Sequence, residues 1–184
     1  GGDQTKRNFV DIVGHWAQAD IEEMASKGIV YGVTDTTFEP DRSITRAEFA
    51  ALIVRALNLT TVVPQEWKDV ANEAWYSPAV NAAANVGLVV GYDGWFRPDD
   101  PISREEIAVI MAKAYVFAGG NLESGAIVKF ADIDDISDWA YVYVDSVTTV
   151  GLFAGMTPNT FVPQENATRA ECASVIRRLL DKIN

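Results

Sequence analysis

Three recurring landmarks divide the 184 residues into three copies of one unit. Trp16, Trp75 and Trp139 are 59 and 64 residues apart, Gly28, Gly87 and Gly151 repeat those intervals, and Arg46, Arg104 and Arg169 follow at 58 and 65. Recurrence within one chain restricts the fold to units that stack or close on one another, since so short a unit cannot bury its apolar face alone. Each copy opens on an Asp-led entry: Phe9-Val10-Asp11-Ile12, Trp67-Lys68-Asp69-Val70 and Phe130-Ala131-Asp132-Ile133. An aromatic residue, a helix ending at Gly and a second helix opening Thr/Ser-Arg-x-Glu follow. The layout is an N-terminal tail or vector remnant over 1–8, then repeats over 9–63, 64–122 and 123–184 forming one compact domain. Linkers 59–66 and 116–129 absorb the length differences.

The first helices carry narrow apolar stripes such as Ala17, Ile21, Met24 and Ala25, or Val80, Ala83 and Ala84. Ser77-Pro78 is a good helix start, and Gly28, Gly87 and Gly151 stand where a helix stops in a left-handed residue. Short apolar pieces follow, Gly-Ile29-Val30-Tyr31-Gly32 and its counterparts. They face Phe38-Glu39-Pro40, Phe96-Arg97-Pro98 and Phe161-Val162-Pro163, enough for a minimal two-stranded contact and no sheet. The second helices are specified most strongly. Thr45-x-x-Glu48, Ser103-x-x-Glu106 and Thr168-x-x-Glu171 are capping boxes, with stripes such as Phe49, Leu52, Ile53, Ala56 and Leu57 behind them. The expected fold is all-α: a pseudo-threefold array of helix-loop-helix repeats with a central three-helix bundle and grooves between copies.

Composition removes whole classes of function. Fifteen Lys and Arg against 26 Asp and Glu leave a net charge of −11, with one His and one Cys. A lone cysteine forms no internal disulfide or CxxC pair, and a lone histidine no two-histidine metal site. The acidic balance argues against nucleic acid, which needs a basic face. An apolar content of 48% indicates a folded chain. The stretch 82–91, interrupted by Asn85 and Gly87, falls short of the ~20 residues that cross a bilayer. The opening Gly1-Gly2-Asp3-Gln4-Thr5-Lys6 has no apolar core, so it does not read as a signal peptide.

Among chemistry-bearing residues, the arginine at the first helical position is the one local stability does not explain, because a cation opposes the positive end of the helix dipole. Arg46, Arg104 and Arg169 could form anion sites with free helix N–H groups, gripping a carboxylate in two places, or pair with an acid such as Asp41 or Asp99. Asp11, Asp69 and Asp132 could meet a ligand hydroxyl or cap a turn, the commoner role. Trp16, Trp75 and Trp139 read first as core anchors and second as stacking faces, whereas Trp95, without a tryptophan counterpart, is a candidate exposed contact. Cys172 shares the register of Phe49 and Ile107 and reads as core; His15 reads as a turn cap. The run 132–138 fails as a calcium loop, with Ile136 and Ser137 at its fifth and sixth positions. Glu48, Glu106 and Glu171 are engaged by their boxes, leaving no carboxylate pair for a glycosidase. No catalytic residue, metal or cofactor is expected.

The pattern Phe-x-Asp-Ile, His-Trp-Ala, Gly-Ile-Val-x-Gly, Phe-x-Pro and Ile-Thr-Arg-Ala-Glu resembles the S-layer homology (SLH) domain. The last motif stands at residues 44–48, 102–106 and 167–171, so three tandem copies cover nearly the whole chain. The resemblance implies an extracellular, non-catalytic module that anchors a surface protein in the S-layer or cell wall of a Gram-positive bacterium. Its implied partner is the peptidoglycan-linked secondary cell wall polymer, recognised at terminal pyruvylated N-acetylmannosamine in inter-repeat grooves, with neighbouring S-layer subunits as further partners of the full-length protein. It implies ligand contacts from Asp11, Trp16, Gly28 and Arg46, and from Asp69, Trp75, Gly87 and Arg104. Asp132, Trp139, Gly151 and Arg169 belong to the copy that departs most, where Ala167 replaces the motif's Ile and Met156 follows Gly155, so a degraded or purely structural groove is expected there. The other functional class compatible with the sequence is a protein–protein scaffold module without carbohydrate affinity.

Overall fold

The computed structural model describes residues 8–184; apart from Asn8, the expected tail 1–8 lies outside them. Six α-helices form among these residues: α1 (Gln18–Ser26), α2 (Arg46–Ala56), α3 (Ser77–Asn85), α4 (Arg104–Phe117), α5 (Asp138–Thr149) and α6 (Arg169–Ile183). The short extended pieces make only isolated bridges, Tyr92 with Trp95 and Thr157 with Thr160. Gly28, Gly87 and Gly151 take φ of 71°, 78° and 81° just beyond the first helices, a conformation that costs glycine nothing.

The second helices start where their caps place them. The Thr45, Ser103 and Thr168 hydroxyls accept from the N–H of Glu48, Glu106 and Glu171. The reciprocal bond completes the box in α4 and α6 but not in α2, a departure from the sequence expectation. Glu48 lies 3.3 Å from Arg169 and 3.7 Å from Arg42.

The main helix pairings run between copies. α1 packs against α6, α3 against α2 and α5 against α4, so every first helix lies on the second helix of the preceding copy, and the first copy closes the ring on the last. The second helices meet in the middle, where α6 touches both α2 and α4. At the foot of this bundle the backbone forms a closed cycle. Ile44 N–H donates to Ala167 O, Ala167 N–H to Ile102 O, and Ile102 N–H to Ile44 O, at 3.0–3.1 Å. Phe49, Ile53, Ile107, Met111, Cys172 and Ile176 fill the core around it, and burial pushes the Cys172 thiol pKa up.

Each entry aspartate braces a turn within its own copy. Asp11 accepts from the N–H groups of Phe38 and Glu39, Asp69 from Phe96 and Arg97, and Asp132 from Phe161 and Val162, all at 2.7–2.9 Å. The second residue of each pair precedes a proline and carries a positive φ of 55°, 61° or 57°. A non-glycine residue is strained there, so the two carboxylate bonds hold a turn the backbone alone would not keep. Burial raises the Asp11 pKa, but the Phe38 and Glu39 N–H groups outweigh it and leave it below the ordinary 3.8.

Candidate ligand-binding grooves

The arginines at the second-helix starts reach into the next copy. Arg46 Nε donates to Phe96 O and its Nη1 to Glu106; Arg104 repeats this with Phe161 O and Glu171, and Arg169 with Phe38 O and Glu48. Each guanidinium also lies over the phenylalanine whose carbonyl it holds, 4.5–5.1 Å from the ring centroid. Arg46 and Arg104 are 9% and 2% exposed. Burial lowers all three pKa values; Arg46, beside Arg97, falls to about 10 and stays a cation at neutral pH.

The helix N–H groups expected to be free for an anion are taken. Arg46 N–H donates to Asp100 O and Ala47 N–H to Pro98 O; the same two bonds run from Arg104 and Glu105 to Glu165 and Pro163, and from Arg169 and Ala170 to Arg42 and Pro40. The third N–H goes to the capping hydroxyl. Nor do the arginines pair with Asp41 or Asp99: their partner is the capping-box glutamate of the neighbouring copy, and Asp41 instead accepts from His15 Nε2 at 2.9 Å. His15 Nδ1 accepts from Ala17 N–H, the turn-capping role expected of it.

The same handover builds three grooves, each from all three copies. The first, about 390 Å³, is lined by Arg169, the loop around Tyr31 and Gly32, and Trp75. The second, about 680 Å³, takes Arg46, the loop around Val90 and Gly91, and Trp139. The third, about 320 Å³, takes Arg104, the loop around Ala154 and Gly155, and Trp16. The tryptophans are not core anchors: Trp16, Trp75 and Trp139 are 65%, 66% and 55% exposed, each lining a groove whose arginine and loop come from the two other copies. Trp95 is exposed and lines the second groove. Asp11, Asp69, Asp132, Gly28, Gly87 and Gly151 are not among the lining residues of these grooves.

Two sets of groove residues escaped the sequence reading. Arg55, Lys113 and Arg178 line one groove each and sit nine residues after the helix-start arginines, so the same 58 and 65 spacing marks them. Gly32, Gly91 and Gly155 form part of the groove walls. A Cβ on any of them would fall 2.7–2.8 Å from a backbone oxygen, that of Thr37, Trp95 or Thr160, so only glycine lets the loop fold this tightly.

The family described as S-layer homology domain matches residues 8–50, 68–108 and 129–173. The chain belongs to the SLH family. An amylopullulanase of Thermoanaerobacterium thermosulfurigenes is 40% identical over 96% of the chain and 10% of its own length. An exoglucanase of Acetivibrio thermocellus is 40% identical over 96% of the chain and 16% of its own length. A cellulosome-anchoring protein of the latter species is 31% identical over 79% of the chain and 34% of its own length. The chain thus spans 10–34% of the length of these relatives, and the SLH region of the enzyme-named ones is a separate, small part. SLH domains anchor surface proteins to the cell wall, and S-layer relatives place this one at the bacterial cell surface. No helix among the described residues is long and apolar enough to cross a membrane.

Proposed function

We propose that the SLH trimer holds a surface protein non-covalently on the bacterial cell wall by binding a wall glycan in its inter-copy grooves, and that the bound end is the terminal pyruvylated N-acetylmannosamine of the secondary cell wall polymer. The observation that carries this reading is the pairing, in each groove, of an exposed tryptophan with basic side chains: Trp75 with Arg55, Trp139 with Lys113, Trp16 with Arg178. An indole face suits the apolar face of a sugar ring, and a nearby cation suits the ketal carboxylate. The net charge of −11 does not oppose this, because beyond about 10 Å salt screens the bulk surface while contact charges act at full strength. Asp11, Asp69, Gly28 and Gly87 act from behind the grooves, by holding the turns and helix ends that shape them. Pull-down on purified wall polymer tests the reading: retention on native polymer and its loss after the pyruvyl groups are removed is expected. Equal retention on both would contradict the carboxylate mechanism, and retention on neither would leave the scaffold role.

A further inference from the structure

The seam that closes the ring differs in chemistry from the other two, and we propose that it is a recognition surface for a second copy of this chain. Copy three of one molecule closes on copies one and two of another, and reciprocally, giving an exchanged dimer with two complete trimers. The inference is independent of the glycan reading above.

Two of the three seams join helices that the chain already brings together. α3 lies on α2 and α5 on α4, and each pair is consecutive, connected through residues 57–76 and 118–137. No linker delivers α1 to α6: that pairing joins the first copy to the last, so the two helices have to recognise one another. The residues at the contact differ accordingly. Asp20, eight residues before Gly28, meets Arg177, eight after Arg169, with Arg177 Nε 2.5 Å from Asp20 Oδ1 and the side chains 27% and 19% exposed. Asp181, one turn further along α6, also pairs with Arg177. The same count of eight in the linked seams gives Ala79 with Val54 and Tyr143 with Ala112, pairs without a charge. Val54 and Ala79 line one small cleft, and Val54 and Tyr143 pack on the core. α1 as a whole carries Asp20, Glu22 and Glu23, and the second half of α6 carries Arg177, Arg178 and Lys182, whereas α3 has no charged residue.

An ion pair so placed discriminates more than it stabilises. α1 laid on α2 or α4 would set Asp20 against Val54 or Ala112, and α6 receiving α3 or α5 would set Arg177 against Ala79 or Tyr143. Either arrangement leaves a partly buried charge without its partner. The match is made on contact, and it is the same whether α1 belongs to the same chain or to another. Copy three is built to move as a unit. Asp132 braces its turn from within, and the end of its linker is tied to its own α5: Gly125 and Ile127 N–H donate to Asp145 Oδ1 at 2.8 and 3.2 Å, and Ala126 N–H to Thr149 Oγ1 at 3.0 Å. What remains between copies two and three is Gly119 to Ser124, a stretch outside any helix, exposed at every residue but Gly120, that opens on two glycines and reaches ~20 Å when extended. Exchange through this hinge rebuilds every contact within a trimer and changes only where the hinge runs, the ordinary logic of domain swapping.

Charge reversal tests the proposal on the whole chain. Asp20→Arg sets two cations at the seam and Arg177→Asp two anions, so neither variant closes well within one molecule or between two identical ones. Unfolded and refolded as an equimolar mixture, the two should form a heterodimer of twice the chain mass, read by light scattering on a sizing column. Exchange sets the reversed α1 of one chain against the reversed α6 of the other, and the native α1 against the native α6. The dimer fraction should exceed that of either variant refolded alone by about tenfold, since two like-charge contacts are replaced at once by two ion pairs. Wild-type chain refolded at rising concentration should give the same dimer in growing proportion, and the variant with both reversals should regain wild-type stability. A mixture that stays monomeric, folded or unfolded, would overturn the exchange. Dimer formed equally by either variant alone, or a double reversal that recovers no stability, would overturn the role of the Asp20–Arg177 pair in selecting the partner.

Discussion

Arg104 shows how one side chain serves the assembly. Its head group joins the Phe161 and Ala154 carbonyls to Glu171, all in the next copy, and lies 4.3 Å and 5.0 Å from the Phe153 and Phe161 ring centroids. Removing one member of a buried, fully bonded ion pair leaves the other uncompensated, so Arg104→Ala should lower stability by about 3–5 kcal/mol in chemical denaturation. Arg104→Lys should recover little, because an ammonium cannot hold two carbonyls and a carboxylate in that planar arrangement. Asp11 makes the pH dependence specific. Its folded pKa lies below the ordinary 3.8, so its contribution is present at neutral pH and lost as pH falls through the folded value. Acid titration of stability should therefore drop below about pH 4, and Asp11→Asn should flatten that limb. The sequence marks Arg46, Arg104 and Arg169 as unusual but not their partners, which lie 50–67 residues away for Arg46 and Arg104 and 121–138 for Arg169. It misassigns the tryptophans for the same reason. A large apolar ring at a helix start reads as core of its own copy, yet each ring lines a groove whose arginine and loop come from the other two.

At the level of elements, the capping motifs were the most legible part of the chain because their chemistry is local. Thr168→Ala removes the hydroxyl that accepts from Glu171 N–H and dissolves a complete box, and should cost about 1 kcal/mol, read as a lowered melting temperature. The same change at Thr45 should cost less, since the reciprocal bond from Glu48 is not present there to be weakened with it. What local patterning could not supply is the earlier start of α5, at Asp138 ahead of Trp139 where α1 and α3 start after their tryptophans; the carboxylate that accepts from its N-cap Ser137 belongs to Glu105, 32 residues upstream on another helix. The glycine walls were likewise invisible. Gly32, Gly91 and Gly155 are seen in sequence as turn residues, and only the folded loop shows that a Cβ has nowhere to go.

On the scale of the molecule, the handover of every first helix makes the ring the folding unit. The repeat count and all-α class were readable because recurrence and periodicity are properties of the chain; which helix packs on which copy is not, because one stripe fits either neighbour. Asp20 on α1 lies 2.5 Å from Arg177 on α6 where the ring closes. A peptide covering 9–63 has α1 without α6 and α2 without α3, and should be unfolded by circular dichroism, whereas 8–184 should unfold in one cooperative transition. Separate transitions for the copies would contradict the handover. The grooves depend on the same closure, since each takes its arginine, loop and tryptophan from three different copies. The most direct measurement of what they do is calorimetric titration of 8–184 with secondary cell wall polymer, native and freed of pyruvyl groups. Saturable heat with the native polymer that disappears when the pyruvyl groups are removed is the predicted result; equal heat with both, or none with the native polymer, would contradict it.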